Sequence, residues 1–467
     1  MDFLQLIKTV SRPIIFDGSM GVYLQSLGYG AAPPVAYNLT NPEVITDIHK
    51  RYINAGAEII KTNTFNLTGI SRADYLKIFE AAFNNAKNAF DGAPAGKRPL
   101  VALDIGPTGK LTPPMGDTTL NQLYDIYKEI AIYGEKFGAD FALIETMQDI
   151  GEMRAAVLAV KENTLLPVAV TVTFEKNGRT LFGASPATVI FALESLGINA
   201  IGINCGFGME SADMVINDFI KYSCLPVIVQ PNAGLPETID GKQVYTLPPS
   251  VFAEKMKGYA GIGARFIGGC CGTTPEHIKA AAEAVKNIRA LPVEEKNYTA
   301  AASYSQSVIF NEDGGKDIIV GTLEFALKSG TADEAEFEDV AEQALDLADD
   351  GAEIIYIKLN NNDNKFNAEE AKNAILSASS SITRVCPVPL MTDAYTAETT
   401  EAFLRDYPGK AVIYGAENVN RDVFEPIKKY GAVFAAKSEN DCKTAAECGV
   451  PEKNIVLRPR LKFIGAD

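Results

Sequence analysis

The sequence has no tryptophan and only two histidines, His49 and His277, among its 467 residues. So few imidazoles exclude a histidine-rich metal site and a relay of several imidazole bases. His277 follows Thr274-Pro275-Glu276, which reads as the start of a helix, so it is interpreted as a helix residue. Any metal or acid–base chemistry must therefore use other side chains.

Positive charge and long apolar runs are also scarce. The chain has 43 Lys and Arg against 59 Asp and Glu, a formal net charge of −16. This charge argues against nucleic-acid binding, which depends on neutralising phosphates. No apolar run approaches the roughly 20 residues of a membrane span, and Met1 to Val10 lack the basic start and apolar core of a signal peptide. We therefore expect a cytoplasmic protein that binds neither nucleic acid nor a membrane.

Cysteine is present in an odd number, seven, and three of the seven have unusual surroundings. Cys270 and Cys271 are adjacent within Gly268-Gly269-Cys270-Cys271-Gly272-Thr273, and Cys205 stands alone in Ile203-Asn204-Cys205-Gly206. The odd count and the missing signal peptide indicate a reducing compartment, where thiols are free to bind metal. The other four are interpreted as small buried hydrophobes: Cys224, Cys386, Cys442 and Cys448.

Each of the two cysteine motifs begins where a short apolar run, read as a buried strand, gives way to glycine. In a parallel α/β protein the carboxyl ends of the strands form the working face. Three thiolates converging there would hold Zn²⁺ tetrahedrally and leave a fourth position open, which is typical of catalytic zinc. Simple core packing and a zinc module without catalysis are the alternatives.

Residues 13 to 290 alternate between strand-like and helix-like segments eight times. Apolar runs of strand length fall at 13–16, 58–61, 100–103, 141–144, 168–172, 200–203, 227–229 and 265–267. Eight such units in under 300 residues predict an α/β fold, a (β/α)₈ TIM barrel. Helices are expected between them, for example over 121–137 and 275–289.

A second, smaller α/β unit is predicted after the barrel. Residues 291–307 form a small, polar stretch without period and are interpreted as a linker between units at 1–290 and 308–467. Six strands are expected in the second unit, near 318–320, 354–357, 389–391, 411–413, 433–435 and 455–457. Six strands do not close an eight-stranded barrel, so this unit is expected to be a truncated barrel, an open sheet or a fragment.

The first unit contains four motifs in order: Phe16-Asp17-Gly18-Ser19-Met20-Gly21, Thr62-Asn63-Thr64-Phe65, Asn204-Cys205-Gly206 and Gly268-Gly269-Cys270-Cys271-Gly272-Thr273. With these motifs it resembles the homocysteine S-methyltransferases, in particular the homocysteine-binding barrel of cobalamin-dependent methionine synthase. The likeness covers roughly residues 10 to 290. Together the four motifs are specific for this family.

The resemblance implies that Cys205, Cys270 and Cys271 bind zinc and that the thiol of homocysteine takes the fourth position. It also implies that Asp17, Glu145 and Asn232 hold the amino acid, with the backbone of Gly18, Ser19 and Met20 receiving its carboxylate. Glu145 ends a buried strand with no obvious basic neighbour in the sequence, which suits a substrate ammonium. The implied reaction is methyl transfer to homocysteine, giving methionine.

The methyl donor is expected to be a methyl-corrinoid. A quaternary-ammonium donor such as betaine favours tryptophan faces, and the chain has none. No Asp-x-His-x-x-Gly cobalamin motif is present, so the methylcobalamin would be carried by a partner protein or a missing domain. A methyltransferase subunit for another small thiol or a methylated catabolite is the alternative.

The second unit contains three notable stretches: Asp350-Gly351-Ala352-Glu353, Pro389-Leu390-Met391-Thr392-Asp393 and Tyr407-Pro408-Gly409-Lys410-Ala411. In these it resembles the start of the tetrahydrofolate-binding barrel of cobalamin-dependent methionine synthase, but two other motifs depart from that family. The family's Gly-Glu-Arg signature is replaced by Val320-Gly321-Thr322-Leu323-Glu324, and its Asp-Val-Asn by Tyr356-Ile357-Lys358-Leu359-Asn360. We predict a docking or scaffold unit that does not bind methyltetrahydrofolate.

Overall fold

The structure is a computed structural model. It describes residues 2–67, 70–91, 98–206, 208–239, 242–311, 316–325, 334–359, 368–415, 420–457 and 461–465. Asn360, the last residue of the altered second-strand motif, lies outside the described residues.

The amino-terminal unit is built on parallel strands. Its strands are β1 (Ile14–Ile15), β2 (Ile59–Lys61), β3 (Leu100–Ile105), β4 (Phe141–Met147), β5 (Val168–Val172), β6 (Ala200–Cys205), β7 (Val227–Pro231), β8 (Pro236–Ile239), β9 (Lys242–Tyr245) and β10 (Ala264–Ile267). β8 and β9 form an antiparallel hairpin. The other eight form one parallel sheet in the order β1-β10-β7-β6-β5-β4-β3-β2.

The two ends of this sheet meet. Phe16 bridges to Ile59, and the Asp17 N–H donates to the Ile59 carbonyl at 3.0 Å. The Glu58 N–H donates to the Ile15 carbonyl at 2.7 Å from the other side. The sheet is therefore closed, and the predicted (β/α)₈ barrel is confirmed.

The helices follow the expected alternation. They are α1 (Phe3–Thr9), α2 (Gly21–Ser26), α3 (Tyr37–Thr40), α4 (Pro42–Asn54), α5 (Tyr75–Asn88), α6 (Leu120–Phe137), α7 (Ile150–Asn163), α8 (Pro186–Glu194), α9 (Gly208–Tyr222), α10 (Pro249–Ile262) and α11 (Pro275–Val285), with 3₁₀ turns at Pro34–Ala36 and Arg72–Asp74. Thr119 is the N-cap residue of α6 and forms a capping box with Gln122. Gly138, in the left-handed conformation, is its C-cap residue. α11 ends at Val285 and is therefore shorter than the predicted 275–289.

The barrel interior is apolar in its lower part and polar at the top. Phe3 of α1 stacks on Phe141 with ring centroids 4.0 Å apart and so closes the lower end. The lower interior is one buried cluster that includes Ile59, Ala102, Leu143 and Ile228. Because side chains on the same face of a strand recur every two residues, the next inward positions are Lys61, Asp104, Glu145 and Gln230. All four are buried, so the upper layer of the barrel is polar.

The carboxyl-terminal unit is a second parallel sheet. Its strands are β13 (Ile318–Phe325), β14 (Ile354–Leu359), β15 (Leu390–Asp393), β16 (Val412–Tyr414), β17 (Val433–Ala436), β18 (Ile455–Leu457) and β19 (Leu461–Ile464), in the order β18-β17-β16-β15-β14-β13-β19. Its helices are α12 (Glu334–Asp349), α13 (Ala368–Val385), α14 (Ala397–Asp406), α15 (Phe424–Tyr430) and α16 (Glu439–Glu447), with 3₁₀ turns at Arg421–Val423 and Glu452–Asn454.

The six strands predicted here are present, and β19 is a seventh that the sequence did not reveal. It is a run of four residues that pairs in parallel with β13. A short segment of this kind gains its strand conformation from an available edge rather than from its own pattern.

Part of the predicted linker is folded. β11 (Ala300–Ala302) and β12 (Ser307–Ile309) form an antiparallel hairpin, and the three residues of β11 are buried. Ala302 and Lys410 exchange two backbone hydrogen bonds at 2.7 and 2.9 Å. The first unit contacts the second directly as well, since buried Arg154 donates to the Leu404 carbonyl at 2.8 Å. The boundaries at 290 and 308 stay predictions.

In the described part of the chain, no helix is both long enough and apolar enough to cross a bilayer.

His49 on α4 yields a prediction about acid stability. It is fully buried, neither ring nitrogen has a hydrogen-bond partner among the described residues, and burial lowers its pKa from 6.5 to about 4. The unfolded chain therefore binds more protons than the folded one between pH 6.5 and 4, and stability falls as the pH drops through that window. This shift corresponds to a loss of about 3 kcal/mol.

His49→Leu should remove this part of the pH dependence. We expect its free energy of unfolding to fall less than that of the wild type between pH 6.5 and 4, measured by chemical denaturation at several pH values. Parallel curves for the two proteins would contradict the assignment.

Candidate metal centre and substrate site

The three singled-out cysteines converge at the carboxyl end of the barrel. Cys205 is the last residue of β6, and Cys270 and Cys271 follow β10; a single strand, β7, separates these two in the sheet. The three Sγ atoms all lie within 4.8 Å of one another, and those of Cys205 and Cys271 are 3.9 Å apart. Among the described residues, every cysteine is a free thiol.

The sulfur positions fit a tetrahedral zinc ion. With Zn–S bonds of about 2.3 Å, tetrahedral geometry places sulfurs about 3.8 Å apart. This matches the separation of Cys205 and Cys271. Three soft thiolate donors are also the chemistry that zinc prefers. The cluster therefore accommodates a metal held by three protein ligands.

Crowding of the thiols disfavours ionisation in the absence of a cation. For Cys205, a hydrogen bond with Cys270 lowers the pKa, while the contact with Cys271 and burial raise it, to about 11. The pKa of Cys270 is raised well above its usual value, mainly by its contact with Cys205. Three thiolates so close together repel one another, so a bound cation would stabilise their ionised form.

The backbone around Cys205 is held in an uncommon conformation. Cys205 and Thr146 are the non-glycine residues with positive φ in the described chain, at 59° and 63°. The Asn204 side chain fixes this region, because its Oδ1 accepts from the Thr146 N–H at 2.8 Å and its Nδ2 donates to Thr146 Oγ1 at 2.6 Å. The same Nδ2 lies 3.7 Å from Cys270 Sγ. Left-handed backbone of this kind is concentrated at functional sites.

Thr273 connects the cysteine loop to the loop after β1. Its Oγ1 donates to the Cys270 carbonyl at 2.6 Å and accepts from the Ser19 N–H at 3.1 Å. A Cβ at Gly18 would lie 2.6 Å from this hydroxyl, so only glycine permits the close approach. Because the Ser19 amide is taken by Thr273, it is not available to a carboxylate in this arrangement. Met20 is the N-cap residue of α2.

Asp17 and Glu145 both lie in the buried polar layer. Their neighbour Lys61 was not predicted from the sequence. The Lys61 Nζ is 3.3 Å from Glu145 Oε2 and 3.8 Å from Asp17 Oδ1. Burial raises the pKa of Asp17 to about 7, against the opposing charge of Lys61. Burial lowers the pKa of Lys61, but the charges of Glu145 and Asp17 outweigh it, and the net pKa is raised.

The expectation that Glu145 has no basic neighbour was therefore wrong. Lys61 lies two residues after inward-facing Ile59 on β2. Because side chains on one face of a strand recur every two residues, this spacing could have predicted that Lys61 points into the barrel. Only closure of the barrel brings β2 and β4 side chains to the same point.

Two more polar residues approach the cluster, and the sequence predicted one of them. Asn232, after β7, donates through Nδ2 to the Gly206 carbonyl at 3.1 Å, while its buried Oδ1 has no hydrogen-bond partner among the described residues. Tyr245 on β9 was not predicted. Its ring lies against Gly272, since an added Cβ there would come within 2.2 Å of it, and its pKa is raised by burial and then by Cys271.

Comparison with known proteins agrees with this architecture. The family model described as homocysteine S-methyltransferase matches residues 14–285. The chain belongs to the homocysteine S-methyltransferase family. It is 30% identical to a methionine synthase of Mycobacterium tuberculosis over 93% of this chain and 38% of that protein. It is 29% identical to a methionine synthase of Mycobacterium leprae, over 98% of this chain and 40% of that protein.

The chain thus spans about two fifths of the length of the curated relatives it matches. Among solved structures, the homocysteine methyltransferase MmuM from Escherichia coli shares the barrel fold. Its apo form gives a TM-score of 0.50 at 22% identity, covering 60% of this chain and 98% of that one. Its metallated form gives 0.51 at the same identity and coverage.

Thr273→Val should loosen the junction of the two loops. The change keeps the shape of the side chain but leaves the buried Ser19 N–H without its acceptor, which costs about 1–3 kcal/mol. Thr273→Ser keeps the hydroxyl and serves as the control. We expect urea denaturation to show a larger loss of stability for the valine variant; equal losses would show that the hydroxyl contributes nothing.

Proposed function

We propose that the first barrel transfers a methyl group to a zinc-bound thiolate, that of homocysteine, giving methionine. The observation that carries this is the convergence of three cysteine sulfurs within 4.8 Å beside a buried acidic cluster, in a chain of this family. Zinc held by Cys205, Cys270 and Cys271 would supply a Lewis acid that keeps a substrate thiol deprotonated near neutral pH.

The protein groups around the sulfurs would orient the amino-acid end of the substrate. Glu145 and Asp17 present carboxylate oxygens in a buried layer, where a substrate ammonium has a strong electrostatic attraction. Asn232 Oδ1, which has no hydrogen-bond partner in the part of the chain that the structure describes, is a further acceptor. The backbone of Gly18 and Met20 would receive the substrate carboxylate, whereas the Ser19 amide already has a partner.

The cysteine loop would act mainly by holding the sulfurs in place. The Cys270 N–H donates to the Pro231 carbonyl at 2.9 Å, and the Cys271 carbonyl accepts from the Ala233 N–H at 2.9 Å. These bonds attach both cysteines to the end of β7. A fixed sulfur triangle lowers the cost of ordering the site when the metal binds.

The donor is proposed to be a methyl-corrinoid carried outside this chain. The relatives named methionine synthase are more than twice as long as this chain, so most of each relative has no counterpart in the matched region. A reducing, cytoplasmic setting suits a site that depends on three free thiols. The lack of methyltetrahydrofolate binding by the second unit stays a prediction.

Zinc analysis of cysteine variants tests the metal site. The wild type purified under reducing conditions should hold one zinc, and Cys271→Ala should bind zinc at least about 100-fold more weakly, since even outer partners of a ligand are worth 10–100-fold. Cys224→Ala is the matched control because Cys224 contacts the Lys296 backbone, not the other thiols. A wild type that neither retains nor takes up zinc would refute the proposal.

The donor is tested by mass-spectrometric detection of methionine formed by the zinc-loaded protein. We expect methionine from homocysteine and free methylcobalamin, and none above background from homocysteine with betaine or S-methylmethionine. Cys271→Ala should abolish the reaction while its circular dichroism stays that of the wild type. Rapid turnover with betaine or S-methylmethionine alone would show that the corrinoid assignment is wrong.

A further inference from the structure

Lys61 places a permanent cation inside the group of carboxylates assigned to the substrate. Its Nζ lies 3.3 Å from Glu145 Oε2, 3.8 Å from Asp17 Oδ1 and 3.3 Å from Gln230 Oε1. Its backbone N–H also donates to the second oxygen of Asp17 at 2.8 Å. The side chain is only 8% exposed, so solvent screens these interactions weakly.

We propose that Lys61 is a specificity-determining residue, which sets how strongly the site prefers a thiol bearing an α-ammonium over the same thiol without one. This inference rests on the proposed function. A substrate ammonium held by Glu145 and Asp17 must share both carboxylates with Lys61. The charge of Lys61 therefore opposes the ammonium and weakens a preference that the carboxylates alone would make much larger.

The charges beside Lys61 set the direction of the effect. Asp17 and Glu145 are the carboxylates assigned to the ammonium, and Lys61 is a cation that already lies against both. A substrate ammonium therefore binds next to a like charge, which opposes it, and this repulsion is absent without Lys61. Burial raises the pKa of Asp17 to about 7 against the charge of Lys61, so the loss of Lys61 raises it further in the free site.

Two ligands isolate the contribution of the ammonium. Homocysteine and 4-sulfanylbutanoate share the thiol, the chain length and the carboxylate, and differ only in the α-ammonium. Calorimetric titration of the zinc-loaded full chain at pH 8 gives a dissociation constant for each. The ratio of the two constants measures preference for the ammonium and cancels effects on thiol and carboxylate binding.

Substitutions at Lys61 should move this ratio. Lys61→Met removes the charge at similar length and should increase the preference for homocysteine at least about tenfold, because the Coulomb repulsion between two cations about 4 Å apart is large in a buried site. Lys61→Gln is a second neutral variant, in case the methionine protein folds poorly. Lys61→Arg keeps the charge and should leave the ratio within about threefold of the wild type.

The outcomes separate this inference from the proposed function. A wild type that binds neither thiol overturns both. A wild type that binds homocysteine, with the same ratio in the neutral variants, overturns only the role of Lys61. Equal weakening of both ligands would instead make Lys61 a structural residue or a partner of the substrate carboxylate, and this also overturns the proposal.

Discussion

Closure of the sheet between β1 and β2 is the constraint on which the polar site depends. The backbone bond from Asp17 to Ile59 places the end of β1 beside Lys61 on β2. Closure also turns Glu145 and Gln230, from distant parts of the chain, toward the same point inside the barrel. The lower interior, filled by rings such as Phe3 and Phe141, keeps the wall rigid beneath this polar layer.

The polar layer and the sulfur cluster both contain several acidic side chains, and they differ in what balances their negative charge. Three thiols in contact resist ionisation unless a cation joins them. Lys61 lies among the carboxyl groups in the barrel as a cation of the protein itself, and burial raises the pKa values of Asp17 and Asp104. These two groups of charges fit the proposed substrate, an amino-acid thiolate with its sulfur at the cysteines and its ammonium at the carboxylates.

Much of the fold could be predicted from sequence because barrel strands are buried on both faces and appear as short apolar runs. The eight predicted runs all overlap barrel strands, and the cysteine loops fall at strand ends as expected. The strand ends were less predictable. β3 and β4 continue through Asp104 and Glu145, since polar residues in the upper layer end the apolar run before the strand ends.

The sequence alone determined the barrel, the family motifs and the three cysteines that converge, because periodicity and local spacing are properties of neighbouring residues. Tertiary structure alone decided the partners: Lys61 for Glu145, Thr273 for Ser19, and the folding of part of the linker against the second unit. These contacts join residues 84 and 254 positions apart in two of the cases. No local pattern specifies such pairs, since they arise only when the sheet closes and the loops pack on its upper rim.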